Sequence, residues 1–404
     1  MKILYAALDQ VVPGTLGGSI HVQSVAEGLA ALGHEVHVAT QVAGASGALN
    51  LHRGAPNLHR GAPNLQVRGG AVHWIAAAPP LGQPALRWLR AQRIEAIARR
   101  VRAEVVIERY YNFGGEGVVA AKRLGIPAVL EVNAPVVDYP GSPKARLDRA
   151  LLFEPMRRWR DHLCRMTNLF VTPSAAILPE WVDRSRVLET EWGADTDRFQ
   201  PAAAGELPFT RDPGKITCVF AGAFRAWHGA EQLGAALARL HHAGDDRFAG
   251  LFIGEGPERA AAERAASGTP HVVFTGALPH EALPAALAAA DIGVAPFDVA
   301  RHPSLQLGFY WSPLKIFEYM ATGLPVIAPA LPRLTQLIGH GREGWLYDAS
   351  GPGPEGIQAA LLALADPLVR KTLGGAARVR AVRDFSWRAH CTALDARLRQ
   401  LTSA

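Results

Sequence analysis

The sequence predicts an α/β chain of two doubly wound domains, and three observations carry that prediction. The chain has 404 residues, too many for one ordinary domain and a fit for two. Apolar strand-like runs alternate with helical patterns along nearly the whole length, as in parallel sheets covered on both faces. One stretch, FQPAAAGELPFTRDPGK at 199–215, interrupts the alternation with Pro, Gly and Ala and little periodicity. The first domain is therefore placed at residues 1–198.

In the first half the strands are KILYAAL, EVHVAT, AVHWIAA, VVIERY, AVLEVN and LFVTPS. Gly17, Gly18 and Ser19 open a helix after the first of these, and Val22, Val25, Leu29 and Leu32 mark its buried face. Glycines there let the backbone approach a phosphate or sugar, although a simple turn needs them equally. His21 stands beside them, with a cap or packing role as the plainer alternative. IERYYN puts Glu108 and Arg109 at a strand's end, where sites form; a buried ion pair fits as well. Glu131 and Asn133 follow in LEVNAP. The heptapeptide LHRGAPN occurs twice in tandem at 51–64 and reads as a duplicated surface loop.

In the second half the strands are ITCVFAGAF, LFIGEG, VVFTG, DIGVAPF, PVIAP and GWLYD. Ligands in such sheets bind beyond the carboxyl ends of the strands, so the expected site is a cleft that the two domains face. YWSPLKIFEYMATGLPVIAP at 310–329 is the most informative segment. Ser312 suits the N-cap and Pro313 the first helical position. Leu314, Phe317 and Ala321 share one face, and Lys315, Glu318 and Thr322 another. Gly323 can close the helix, and Pro325 stops its continuation. A helix N-terminus favours phosphate, and Lys315 puts a full positive charge in the first turn, where it opposes the dipole unless an anion is present. Glu318, one turn on, can accept both hydroxyls of a ribose diol. An exposed Lys–Glu pair at i,i+3, worth only about 0.2–0.5 kcal/mol, explains the spacing equally well.

Composition excludes several classes. With 49% hydrophobic and 19% charged residues the chain can bury sizeable cores. No apolar run reads as long enough to span a bilayer, and MKILYAALDQVV reads as a strand rather than a secretory signal. Cys164, Cys218 and Cys391 are widely spaced and odd in number, which points to a reducing cytosol and offers no zinc spacing. The net charge of +6 is concentrated in RWLRAQRIEAIARRVR (87–102) and KARLDRALLFEPMRRWRDHLCR (144–165), both read as helical. An anionic membrane surface is a candidate partner for them, with a solvated arginine face as the bland alternative. No motif accompanies them that would indicate nucleic acid.

SPLKIFEYMATGLPVIAP followed by GREGWLYD closely resembles the donor-site motif of the family 4 glycosyltransferases, which have the GT-B fold. GGSIHVQSVAEGLAALGHEVHVAT, RLGIPAVLEVNAP, EWGADTDRFQP, VFAGAFRAWHGAEQL, IGEGPE, VVFTGALPHEALPAALAAADIGVAPF and DFSWRAH resemble further segments of that family in the same order. The resemblance implies two Rossmann-like domains, an acceptor-binding one at 1–198 and a nucleotide-sugar-binding one at 199–384. It also implies a helix at 385–404 that crosses back to the first, with Trp387 packing it.

The resemblance implies a retaining, metal-independent transfer from a nucleotide-diphosphate sugar, UDP- or GDP-linked, to a saccharide, lipid-linked or other hydroxyl acceptor. Polysaccharide biosynthesis on the inner face of the membrane fits such chemistry. No cofactor is implied; the nucleotide-sugar is a co-substrate. Glu318 matches the ribose-binding glutamate. Ser312, Pro313, Leu314 and Lys315 match the segment near the donor's diphosphate and sugar. Arg225 and His228 are expected to neutralise the diphosphate, His228 best when protonated. Glu255, Gly256, Gly276 and Leu278 are expected near the nucleotide, and Gly17 and Gly18 at a donor-facing loop. His21, Arg109 and Glu131 are acceptor-side candidates. The chain departs from the family pattern at Tyr310, where many members carry a second glutamate, at His228 in place of lysine, and at Asn133 in place of a catalytic-region histidine. These departures leave a second reading open, a non-catalytic nucleotide- or glycan-binding relative that supports a partner glycosyltransferase. A third reading, a sugar-nucleotide epimerase, fits the SPLKIFEYMATG segment less well.

Overall fold

A computed structural model describes residues 1–12, 14, 17–41, 72–75, 83–207 and 209–403; the tandem LHRGAPN lies outside them. The chain divides into two compact units, Met1–Glu191 with His390–Ala404, and Trp192–Ala389.

The first unit runs β1 (Lys2–Val11), α1 (Gly17–Ala31), β2 (Glu35–Gln41), β3 (Val72–Ile75), α2 (Gln83–Val101), β4 (Val105–Arg109), α3 (Glu116–Leu124), β5 (Ala128–Glu131), α4 (Pro143–Leu151), α5 (Pro155–Met166), β6 (Leu169–Thr172) and β7 (Val187–Glu189). These strands form one sheet in the order β3-β2-β1-β4-β5-β6-β7. Every pairing is parallel. Val, Ile and Leu fill β4, β5 and β6, buried on both faces as parallel strands require. The chain leaves β1 toward β3 and returns at β4 to build the other half, so the direction reverses between β1 and β4.

Val22, Val25, Ala26 and Leu29 bury one face of α1. Leu32, expected on that face, is instead exposed, because the helix has already ended at Ala31. The basic segment at 144–165 forms two helices, α4 and α5. The break falls before Pro155, where the ring restricts the preceding residue.

The second unit contains β8 (Ile216–Ala221), α6 (Ala230–His242), β9 (Phe248–Ile253), α7 (Arg259–Ala265), β10 (Val272–Gly276), α8 (Leu283–Ala288), β11 (Ile292–Val294), α9 (Leu314–Ala321), β12 (Val326–Pro329), α10 (Leu334–Leu337), β13 (Gly344–Tyr347), α11 (Gly353–Ala363) and α12 (Pro367–Asp384). Its sheet order is β10-β9-β8-β11-β12-β13, again parallel throughout. Here the direction reverses between β8 and β11. Both units are thus doubly wound and Rossmann-like.

The last helix, α13 (Trp387–Ser403), belongs to the first unit from His390 onward. Cys391, Leu394 and Leu398 are buried there, and Asp395 lies 2.7 Å from His34 Nε2. All three cysteines are free and buried. No described helix is long and apolar enough to cross a membrane.

Candidate active site

Doubly wound sheets offer a crevice at the carboxyl end of the strands where their order reverses. In the second unit that point lies between β8 and β11, and α9 places Lys315 against it. The Lys315 ammonium sits 4.2 Å from the centroid of the Phe220 ring and 5.3 Å from that of Phe297. Nζ is buried and has no hydrogen-bond partner. Burial pushes this lysine down to about 7, opposed only by the nearby Glu318 carboxylate. Burial likewise pushes Glu318 up to about 7, with Lys315 pulling the other way. By surface area both side chains are half-buried, but the Lys315 charge itself is out of contact with water. At i,i+3 the two could form an ion pair, yet neither does so with the other or with any described residue. The alternative of a surface Lys–Glu pair therefore fails on geometry.

The loops after β8, β9 and β10 are tied side by side next to Lys315. Gly222 N–H donates to the Ile253 carbonyl at 2.9 Å, Phe224 N–H to Glu255 at 2.9 Å and Gly254 N–H to Gly276 at 2.8 Å. Only glycine fits at the tightest point. Gly254 has φ +133, and a Cβ there would lie 2.0 Å from the Gly222 oxygen. Gly256 is confined in the same way, its Cβ position lying 2.5 Å from the Phe224 oxygen. At Gly222 a Cβ would stand 3.1 Å from Lys315 Nζ, so glycine keeps the space beside the ammonium open. Gly276, at φ +76, and the partly buried Leu278 belong to the same rim. Glu255 is exposed and ion-paired with Arg259.

Arg225 is exposed, its guanidinium carbon 5.8 Å from the Trp227 ring centroid. His228 is a correction. Its Nδ1 lies 2.5 Å from the Ala223 carbonyl oxygen. Burial, and then the charges of Lys315 and Arg225, push it down to about 3. At neutral pH it is an uncharged imidazole and adds no positive charge of its own. Ser312 is a second correction. It does not cap α9, because its Oγ accepts the Trp192 N–H at 2.8 Å. The N-cap position falls to Pro313, with Leu314 as the first helical residue. Tyr310 is buried, its hydroxyl 3.0 Å from Ser304 Oγ, which in turn lies 2.7 Å from His302 Nδ1.

In the first unit the reversal between β1 and β4 gathers a second cluster. Glu131, at the end of β5, receives the Tyr5 hydroxyl at 2.6 Å. His21 Nε2 lies 2.7 Å and Arg109 Nη1 3.2 Å from its other oxygen. Arg109 also reaches Asp9 at 3.4 Å. Burial alone would raise the Glu131 carboxyl, but His21, Arg109 and Tyr5 outweigh it and hold it at about 2. His21, Arg109 and Glu131 thus stand together. Asn133, two residues past β5, buries its Nδ2 without a partner. Gly18, in the first turn of α1, leaves room for the Gln10 amide, whose oxygen would lie 2.1 Å from a Cβ; Gly17 is exposed. Glu108 lies elsewhere, its carboxylate accepting the backbone N–H groups of Gly115 and Val118 and so capping α3. Tyr5, Asp9, Phe220 and Phe297 escaped the sequence reading. For Asp9, Phe220 and Phe297 the available signal was position, since each sits near or just past the carboxyl end of a strand; Tyr5, in the first half of β1, carries no such signal.

Residues 16–190 match the profile of Glycosyltransferase Family 4, and residues 215–366 that of Glycosyl transferases group 1. Together these matches cover most of both units, and the chain belongs to this family of GT-B glycosyltransferases. Sulfoquinovosyl transferase SQD2 of Arabidopsis thaliana is 28% identical over 67% of this chain and 51% of its own length. The chain thus spans about half of that relative. A GDP-mannose-dependent alpha-mannosyltransferase of Mycolicibacterium smegmatis is 28% identical over 70% of this chain and 69% of that protein. D-inositol 3-phosphate glycosyltransferase of Pseudarthrobacter chlorophenolicus is 27% identical over 93% and 88%. Among solved structures, sucrose-phosphate synthase from Thermosynechococcus elongatus matches with a TM-score of 0.69 at 18% identity, covering 100% of this chain and 99% of that one. Anabaena Alr3699/HepE in complex with UDP-glucose matches with 0.66 at 17% identity, covering 100% of each. These two similarities establish the GT-B fold.

Proposed function

We propose that this protein is a retaining glycosyltransferase that moves a sugar from a nucleotide-diphosphate sugar to a hydroxyl of a saccharide or lipid-linked acceptor. One observation carries the reading: α9 presents a buried ammonium and a carboxylate one turn apart, both unpaired, at the strand-order reversal of the second unit. Buried charges are normally paired, so a ligand with complementary groups is the natural partner. The diphosphate would take Lys315, Arg225 and the N–H groups at the start of α9. Charge builds on that leaving group in the transition state, where preorganised donors act most strongly. Glu318 would accept the ribose hydroxyls, and the Gly254–Gly256 loop would let the nucleotide approach the backbone. Neutral His228 would act as a hydrogen-bonding group, and Tyr310 would meet the sugar with a hydroxyl where many relatives present a carboxylate. Positive charge for the leaving group comes from the protein in this reading, so chelators should leave turnover unchanged.

In the first unit Glu131, His21, Arg109 and Asn133 form the acceptor side. The donor phosphate itself would take the acceptor proton, which accounts for the lack of an isolated nucleophile–base pair. The relatives named for GDP-mannose and the neighbour holding UDP-glucose support a GDP- or UDP-linked donor. A cytoplasmic enzyme working at a membrane face fits the basic helices of the first unit.

The test is product formation by the purified protein with UDP- and GDP-sugars, with the anomeric configuration of the product read by NMR. Loss of turnover in folded Lys315→Ala and Glu318→Ala proteins is expected; full activity in both would remove this site. Nucleotide binding without turnover of any donor would favour the non-catalytic reading.

A further inference from the structure

The turn between α4 and α5 exposes apolar side chains where turns are normally polar. Leu152 is 89% and Phe153 58% accessible. Leu147 and Leu151, one turn apart on α4 and so on one face, are exposed as well and lead into them. The backbone is held against its preference, with Leu152 at φ +59 and Glu154 at φ +49, both in the left-handed region that disfavours side chains. The turn is fixed from beneath. The buried Asp148 carboxylate accepts the Met156 and Arg157 N–H groups at 2.7 and 2.9 Å, and Pro155 sets the first turn of α5. Strained backbone and exposed leucine and phenylalanine both disfavour the isolated fold, so their combination marks a surface that is covered in use.

Charge identifies what covers it. Arg146, Arg149, Arg157 and Arg158 surround the tip and are exposed. Asp148 is buried by its capping role, which leaves Glu154, 3.7 Å from Arg157, as the exposed acid of the turn. Arg157 also lines a surface cavity of about 410 Å³ together with Trp181, Arg160 and the acids Asp138, Asp161 and Glu180. Asp138 is ion-paired with Arg160 there, and the other exposed arginines at the tip, Arg146, Arg149 and Arg158, lie outside this acidic lining. Trp181 is itself half-exposed, with the Arg165 guanidinium over its ring at 5.3 Å. Leucine and phenylalanine at a tip, arginines around it and a tryptophan at the side are the distribution that the boundary of an anionic bilayer favours.

We infer that the α4–α5 turn inserts Leu152 and Phe153 into the acyl boundary of an anionic membrane while its arginines hold the lipid headgroups. This goes beyond general attraction of basic helices, because it assigns binding to two apolar side chains. It is independent of the donor chemistry, and its test reads binding rather than turnover.

The experiment is co-sedimentation of the purified full-length chain with phosphatidylcholine vesicles, with and without phosphatidylglycerol, at low and high salt. The wild type should partition to the anionic vesicles and keep part of that binding at high salt. Leu152→Asp combined with Phe153→Asp should weaken partitioning about tenfold or more. Arg149→Glu combined with Arg157→Glu should remove the salt-sensitive part. Leu152→Gly separates insertion from turn shape: glycine suits the left-handed backbone, so this variant should melt no lower than wild type and still partition more weakly. Absence of wild-type binding to anionic vesicles at low salt would overturn the inference, as would undiminished binding by the double aspartate variant. Dimerisation lost in Phe153→Asp without vesicle binding would also overturn it, assigning the patch to a second copy.

Discussion

Burying an ammonium without a partner is costly, and Lys315 does so between two phenyl rings. Lys315→Met removes that charge and keeps the volume. It should raise the melting temperature in thermal denaturation, while turnover falls about a hundredfold or more through the lost donor to the leaving group. The depressed lysine also gives a pH dependence. Between about pH 7 and the ordinary lysine range, the unfolded chain carries a proton on this group that the folded chain has lost. On this account stability gains from rising pH across that window. Nucleotide binding runs the other way, since a diphosphate needs the ammonium. Affinity for UDP or GDP should fall as pH rises through 7, and binding at pH 8 should take up a proton, read by calorimetry in buffers of different ionisation enthalpy. In the first unit, Glu131→Gln should destabilise the protein by about 3–5 kcal/mol in urea denaturation, because it strips His21 and Arg109 of a buried counter-charge. The wild-type contribution of Glu131 is present above the ordinary carboxylate range and is lost as pH falls through about 2. Lys315 and Glu318 stood out in the sequence through their spacing, and the structure places them one turn apart on α9. His228 was misread because its charge depends on burial and on neighbours distant in sequence.

At the scale of elements, the strands were legible because parallel strands are apolar on both faces and stand out as runs. β7 was not, since three residues at a sheet edge leave no pattern. The start of α9 was misplaced by one residue. Ser312 has the right chemistry for a cap, but the Trp192 N–H takes its hydroxyl, a tertiary partner that local propensity cannot reveal. The split of the 144–165 segment was signalled by Pro155. The loop after β9 makes its own prediction. Gly254→Ala places a Cβ against the Gly222 carbonyl at positive φ, so it should cost roughly 1–3 kcal/mol and weaken nucleotide binding by displacing the neighbouring loop. Urea denaturation paired with nucleotide titration would check both effects.

Across the whole molecule, strand–helix alternation made the two doubly wound sheets legible, because only a few topologies satisfy right-handed parallel connections. The division into units is finer than composition could show. The resemblance of DFSWRAH implies a last helix at 385–404 associated with the first domain; the compact first unit includes the residues from His390 onward, where Cys391, Leu394 and Leu398 are buried. Truncation after Ala389 should therefore lower the melting temperature of the first unit and uncover α1 at Ser24 and Val25, whose carbonyl oxygens Cys391 Sγ approaches at 4.0 and 3.8 Å, read by calorimetry and dye binding. The donor-site assignment rests on two unpaired charges on one short helix. The most direct test is isothermal titration of UDP, GDP and ADP into the wild type and into Glu318→Gln. The account predicts saturable binding of one nucleoside diphosphate by the wild type and about tenfold weaker binding by a stably folded Glu318→Gln, the loss expected for a charged hydrogen bond. Equal binding by both proteins, or binding of none of the three by the wild type, would contradict it.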